Sequence, residues 1–278
     1  MNISGHTALI PHIGYPTGSF KAPMIYNPWF EAHGVDAVVV PMGVPAEAGA
    51  IALPVIFAFT NFHGALITMP HKVSVVSMLD EVSKAVQVAG ACNAVRRMPD
   101  GRLVGDQFDG AGFVRGVLRK GQRVEGARAL VCGTGGVGSA IAASLAGAGV
   151  GALALYDVDS VSMDRLARRL ADVYPRIAVT TGSNDPQGFD IVVNATPLGM
   201  KPGDPLPLDV TRLAPETFVG EVVMKQETTP FLAAARARGC RTQIGVDMLF
   251  EMIPAYLDFF GFGEATAEEL RALARVSY

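Results

Sequence analysis

Gly133-Thr134-Gly135-Gly136-Val137-Gly138 follows an apolar run and opens an alanine-rich stretch. The G-x-G-x-x-G spacing has a physical purpose. Glycines permit a tight turn and let backbone N–H groups approach a pyrophosphate, and a helix starting there adds the positive end of its dipole. Asp157 closes the next apolar run, 19 residues after Gly138. A carboxylate at that place accepts hydrogen bonds from the adenosine ribose hydroxyls. A 2′-phosphate would instead meet Asp157 and Asp159, and the next basic residue is Arg165. Gly133, Thr134, Gly135, Gly136, Val137, Gly138 and Asp157 are therefore read as a dinucleotide site that favours NAD over NADP. The competing reading is a plain structural turn, with Asp157 capping the turn after its strand.

These residues need a scaffold, and the hydropathy pattern supplies one. Short apolar runs at Thr7–Ile13, Ala37–Pro41 and Leu66–Thr68 read as buried strands, with helices at Ala22–His33 and Ala46–Asn61 between them. That βαβαβ rhythm implies a parallel sheet covered by helices. A hairpin follows, Cys92–Met98 and Arg102–Asp106, turned by Pro99-Asp100-Gly101. After a helix at Ala111–Arg119, a second βαβ series begins. Its strands are Ala129–Cys132, Leu153–Tyr156, Ile177–Thr181, Asp190–Asn194, Phe218–Val223 and Arg241–Ile244. Its helices are Ser139–Ala148, Ser162–Tyr174 (capped by Ser160 or Ser162) and Phe231–Arg238. Helical pattern closes the chain at Met248–Phe260 and Ala265–Val276. The expected fold is α/β in two domains. An N-terminal α/β domain with a parallel-rich sheet covers 1–110. A Rossmann nucleotide-binding domain covers 111–245.

Bulk properties narrow the partners. Of 278 residues, 50% are hydrophobic and 18% charged, which is enough apolar material for two buried cores. The net charge is -3 with the basic residues scattered, so neither nucleic acid nor an anionic membrane is expected. No apolar run is long enough to span a bilayer, and the N-terminus lacks a signal-peptide pattern. Cys92, Cys132 and Cys240 are odd in number and form no CxxC, which fits a reducing, cytoplasmic setting. The five histidines form no ligand-spaced cluster and are read as surface or core residues, with no metal site expected.

Seven pieces stand in order: ITMPHK at Ile67–Lys72, GACNAV at Gly90–Val95, GDQFDGAGF at Gly105–Phe113, then the glycine turn, NATPLGM at Asn194–Met200, TPFL at Thr229–Leu232 and GVDML at Gly245–Leu249. The series resembles the shikimate dehydrogenase family over nearly the whole chain. The resemblance implies a catalytic Lys72 with Asp109 as its partner, and Thr68 and Asn93 on the substrate ring hydroxyls. It also implies Gly245 and Met248 beside the nicotinamide, Asn194 and Thr196 near the cofactor, and a substrate domain made of 1–110 and completed by 246–278. The chemistry is coherent: oxidising a ring alcohol sends a hydride to the nicotinamide and a proton to a base, which a partly buried lysine can supply.

The departures from the family cluster in the substrate pocket. The family anchors the shikimate carboxylate with two serines in an H-S-x-S-P stretch. The matching stretch here is Ser19-Phe20-Lys21-Ala22-Pro23, so both serines are lost, to Phe20 and Ala22. Leu66 replaces an asparagine, Phe108 a threonine, Met224 a tyrosine and Met252 a glutamine. A buried hydrogen bond to a charged group contributes about 1.5–3 kcal/mol. Losing two weakens carboxylate binding by roughly two to four orders of magnitude. Either Ser19 or Lys21 takes over the anchor, or the native substrate lacks that carboxylate. The expected protein is thus an NAD-dependent alcohol dehydrogenase, monomer or homodimer, acting on a shikimate- or quinate-like ring alcohol or ketone through an altered pocket. A catalytically weak NAD-binding sensor and a methylene-tetrahydrofolate dehydrogenase type are the rivals.

Overall fold

In a computed structural model that describes residues 2–277, the first rhythm builds strands β1 (Ala8–Gly14), β2 (Ala37–Gly43) and β3 (Gly64–Ile67) with helices α1 (Pro23–His33) and α2 (Gly49–Phe57) between them. β1 pairs in parallel with β2 and β3. A two-residue strand β4 (Glu81–Val82) and helix α3 (Lys84–Ala89) come next. The expected hairpin then forms from β5 (Ala94–Arg97) and β6 (Leu103–Asp106), with β5 antiparallel to both β3 and β6. The sheet is therefore mixed, in the order β2-β1-β3-β5-β6-β4.

Helix α4 (Asp109–Arg119) leads to a second sheet. Its elements are β7 (Arg128–Cys132), α5 (Gly136–Gly147), β8 (Ala152–Tyr156), α6 (Ser160–Val173), β9 (Ala178–Thr181), β10 (Ile191–Asn194), β11 (Phe218–Glu221), α7 (Pro230–Ala237) and β12 (Arg241–Gln243). All pairings are parallel, in the order β12-β11-β10-β7-β8-β9. The order reverses on either side of β7, as in the doubly wound nucleotide-binding sheet, so ligands are expected at the carboxyl ends of β7 and β10. Helices α8 (Gly245–Phe260) and α9 (Ala267–Leu273) finish the chain. Two compact units result. One takes the residues up to Phe108 and those from Met252 onward; the other runs from Asp109 to Glu251.

Several boundaries differ from the sequence expectation for local reasons. The helix expected over Ala46–Asn61 splits into a 3-10 turn (Ala46–Ala48) and α2. It stops early because the Asn61 carbonyl accepts the Leu9 N–H at 2.9 Å, which pulls the chain into the sheet. α6 begins at Ser160, and its cap is Asp159, whose carboxylate accepts from the Val161 and Ser162 N–H groups. Neither Ser160 nor Ser162 caps it, because the acceptor one residue earlier serves both orphan donors. α9 is shorter than expected, starting after Thr266 in a capping box with Glu269. α5 starts at Gly136 rather than Ser139, so half of the glycine turn is already helix.

Candidate active site

In the unit from Asp109 to Glu251, the glycine turn joins β7 to α5. Gly133 adopts φ +96°, and a Cβ there would lie 2.7 Å from the Ala195 carbonyl group. A Cβ on Gly138 would lie 1.8 Å from the Gly133 carbonyl oxygen, so α5 can pack against the turn only with glycine at 138. Gly135 faces open space, with nothing within 4 Å of the Cβ position. No side chain caps α5, which leaves its first N–H groups for a ligand. Asp157, just past β8, reaches back to the turn: its Oδ2 accepts from the Thr134 N–H at 2.5 Å and the Thr134 hydroxyl at 3.0 Å, and its Oδ1 accepts from the Asp159 N–H. These features fit a dinucleotide: an open glycine for the pyrophosphate, an uncapped helix end, and an acid held at the strand tip.

At the end of β10, Asn194 and Thr196 mostly serve the turn itself. Asn194 Oδ1 accepts from the Thr196 N–H and hydroxyl, and the Thr196 hydroxyl oxygen accepts from the Leu198 N–H. These two side chains thereby fix the shape of the NATPLGM loop. Gly245 and Met224 come together, since a Cβ on Gly245 would lie 3.0 Å from Met224 Cγ and 2.3 Å from the Val223 carbonyl oxygen. Met248 lies one turn further along α8 and is buried. Asp109 is buried at the start of α4.

The other unit gathers the residues expected around the substrate. Lys72 is buried, and its carbonyl accepts the Cys92 N–H. Asn93 is fully buried and held from three sides. Its carbonyl accepts from the Ile67 N–H and the Tyr256 hydroxyl, and its Oδ1 accepts from the Phe108 N–H. Its Nδ2 has no partner, which leaves one buried donor for a ligand. Phe20 lies beside Thr68: a Cβ on Gly14 would lie 2.3 Å from Thr68 Cγ2 and 3.2 Å from the Phe20 ring. The Phe20 ring stacks on His12 with centroids 4.0 Å apart. Ser19 ends a 3-10 turn just before it, and Ala22 is buried at the start of α1. Leu66 is buried on β3 in register with His12, while Phe108 packs edge-on to Tyr256 and Phe259. Met252 is buried on α8. The Lys21 ammonium turns to the carbonyl of Ser277, so the substitute anchor imagined for a substrate carboxylate is engaged with the C-terminal segment.

A family model described as the shikimate dehydrogenase substrate binding domain matches residues 12–95, and a ThiF family model matches 114–173. The shikimate dehydrogenase (NADP(+)) of Rhodospirillum rubrum is 35% identical over 277 residues, covering 97% of this chain and 98% of that protein. The chain belongs to the shikimate dehydrogenase family. It is an oxidoreductase of the shikimate dehydrogenase type with a Rossmann-type nucleotide-binding unit. Among solved structures, quinate dehydrogenase from Corynebacterium glutamicum in complex with NAD is similar at TM-score 0.84 and 28% identity, covering 96% of this chain and 98% of that one. The 5-ketofructose reductase of a Gluconobacter species, in its ligand-free form, is similar at TM-score 0.82 and 26% identity, covering 97% and 98%.

Two residues that the sequence did not single out stand among these shikimate dehydrogenase elements. Glu221 ends β11 beside Asn194 and is nearly fully buried. Burial pushes its carboxyl up to about 7, against weaker lowering by hydrogen bonds from Thr229 and Asn194. Its position at the carboxyl end of a Rossmann strand was the available signal. His12 is the other; its burial, and then the Lys72 charge, push its imidazole down to about 3. Its only sequence mark was a polar residue in an otherwise apolar strand. Burial also pushes the thiols of Cys92 and Cys132 up to about 12, so neither is a thiolate nucleophile. Among the described residues no cluster of His, Cys, Asp and Glu is arranged to hold a metal, and no helix is long and apolar enough to cross a membrane.

Proposed function

We propose that this chain interconverts a ring alcohol and its ketone using a nicotinamide dinucleotide, with NAD preferred, on a substrate that lacks the shikimate carboxylate. The observation that carries the substrate choice is Phe20. The corner that the resemblance assigns to a carboxylate-binding serine holds an aromatic ring stacked on His12. The other serine position holds buried Ala22, and Lys21 gives its ammonium to the Ser277 carbonyl. A carboxylate buried there without donors is penalised by several kcal/mol, on the order seen for unpaired buried charges. The 5-ketofructose reductase among the similar structures is named for a substrate that also has no carboxylate.

A dinucleotide held by the Gly133–Gly138 turn and Asp157 would supply the hydride acceptor for the carbinol carbon. Lys72 exchanges the hydroxyl proton, and the resemblance gives Asp109 the carboxylate role in that transfer. Thr68 and the free Nδ2 of Asn93 hold neighbouring ring hydroxyls. On this account the unit completed by α9 binds the substrate and the unit from Asp109 to Glu251 binds the cofactor. The NAD preference rests on Asp157, whose carboxylate is tied to the glycine turn and would repel a 2′-phosphate. The relatives named as NADP(+) enzymes make this preference a point to measure. The test is initial-rate formation of reduced cofactor, with NAD and NADP each run against shikimate, quinate and carboxylate-free ring alcohols, and Lys72→Ala alongside. Turnover of carboxylate-free alcohols with NAD, abolished in Lys72→Ala, supports the proposal. Efficient turnover of shikimate with NADP and none of the neutral alcohols overturns it.

A further inference from the structure

We infer that His12 is a specificity-determining residue, which hydrogen-bonds a neutral hydroxyl or carbonyl of the ring substrate through the Nε2 edge of its imidazole. The inference rests on the functional reading above and deepens it. His12 and Gly14 are two residues apart on β1, so their side-chain directions share one face of the sheet. The face is defined by the Gly14 position, which abuts Thr68 and Phe20, and by Leu66, which sits in register with His12. The Phe20 ring stacks on the imidazole at 4.0 Å with an interplanar angle of 25°, which fixes the ring's orientation. Lys72 is close enough for its charge to act on the ring. His12 therefore stands among the residues assigned to proton transfer and ring binding.

Its chemistry suits one kind of group. Packing and the Lys72 ammonium keep the imidazole neutral throughout the physiological range. Nδ1 is enclosed and has no hydrogen-bond partner. His12 is partly exposed as a residue, and of its two ring nitrogens only Nδ1 is enclosed without a partner, which points to the Nε2 edge for a ligand. With Nδ1 enclosed, the neutral imidazole offers a ligand one hydrogen bond, at Nε2, and no charge. A hydroxyl complements it in either tautomer, accepting from N–H or donating to the bare nitrogen. A ketone oxygen complements the N–H form. A carboxylate gains one hydrogen bond and no counter-charge there, so its desolvation is not offset. His12 and Phe20 together select an uncharged, hydroxylated ring.

The experiment compares wild type with His12→Leu and His12→Gln; Gln restores a polar group at the Nε2 level. The substrate pair is shikimate and the same ring triol with the carboxylate replaced by hydroxymethyl, and melting temperatures check that each variant folds. The expected result is a KM for the hydroxymethyl triol raised about tenfold in His12→Leu, with kcat changed by less than about threefold and His12→Gln restoring most of the KM. An unchanged KM in folded His12→Leu overturns the inference while leaving the proposed function standing. If wild type turns over neither compound, the functional reading fails on its own. The His12 imidazole signal in ¹⁵N-histidine protein, assigned with His12→Gln, then decides separately: a shift with saturating hydroxymethyl triol supports the contact, and no shift overturns it.

Discussion

Replacing Glu221 by Gln isolates a buried titration whose sign and size follow from the structure. Glu221 is 1% exposed at the end of β11. Its Oε2 lies 3.5 Å from Asn194 Nδ2, and its Oε1 has no partner. Burial raises its carboxyl from the ordinary 4.5 to about 7. Below about pH 4.5 the group is protonated in both folded and unfolded chains and contributes no pH dependence. Between 4.5 and 7 only the unfolded chain is ionised, so stability falls as pH rises. Above about 7 the loss is complete. At 1.36 kcal/mol per unit, the total is about 3 kcal/mol. Gln mimics the protonated acid in shape and hydrogen bonding and does not titrate. Denaturant unfolding of wild type and Glu221→Gln at pH 5 and pH 8 measures the difference. The variant is expected to gain about 2–3 kcal/mol relative to wild type between the two pH values. An equal difference at both would refute the raised carboxyl and the burial that causes it.

Other outcomes rest on the same geometry. Asp157→Ala removes the like charge facing a 2′-phosphate, and the ratio of kcat/KM for NAD over NADP should fall by about tenfold or more, read by initial rates with each cofactor. Gly133→Ala places a Cβ 2.7 Å from the Ala195 backbone at φ +96°. It should destabilise the protein by about 1–3 kcal/mol in thermal unfolding and weaken cofactor binding by calorimetry. Thr229→Ala removes the α7 cap, which accepts the Leu232 N–H at 3.2 Å. A loss of about 1 kcal/mol in denaturant unfolding is expected.

How much could be read from residues alone depends on the range of the interactions. The second βαβ series was readable because strand, glycine turn and alanine-rich helix are contiguous, and Gly133–Gly138 with Asp157 sets their spacing. The hairpin was readable because Asp100-Gly101 is local turn chemistry. β4 and α3 escaped because a two-residue strand and a six-residue helix carry no periodicity to detect. The Lys21 contact joins residues 256 apart, and no local pattern announces it. Phe108 reads as a pocket residue in sequence, and its ring contacts with Tyr256 and Phe259 join residues too far apart along the chain for a local pattern to announce. His12 looked like an isolated histidine. Its meaning appears only when Phe20 folds onto it and β3 brings Thr68 alongside.

The central claim is that Phe20 and Ala22 have removed the need for a substrate carboxylate. Its most direct test is the ratio of kcat/KM for shikimate to that for the hydroxymethyl triol, measured in wild type and in the double variant Phe20→Ser, Ala22→Ser. The ratio is predicted to lie below about one in wild type and to rise about tenfold or more when both hydroxyl donors are returned. A wild-type enzyme that favours shikimate, with a ratio unmoved by the double variant, would contradict the account.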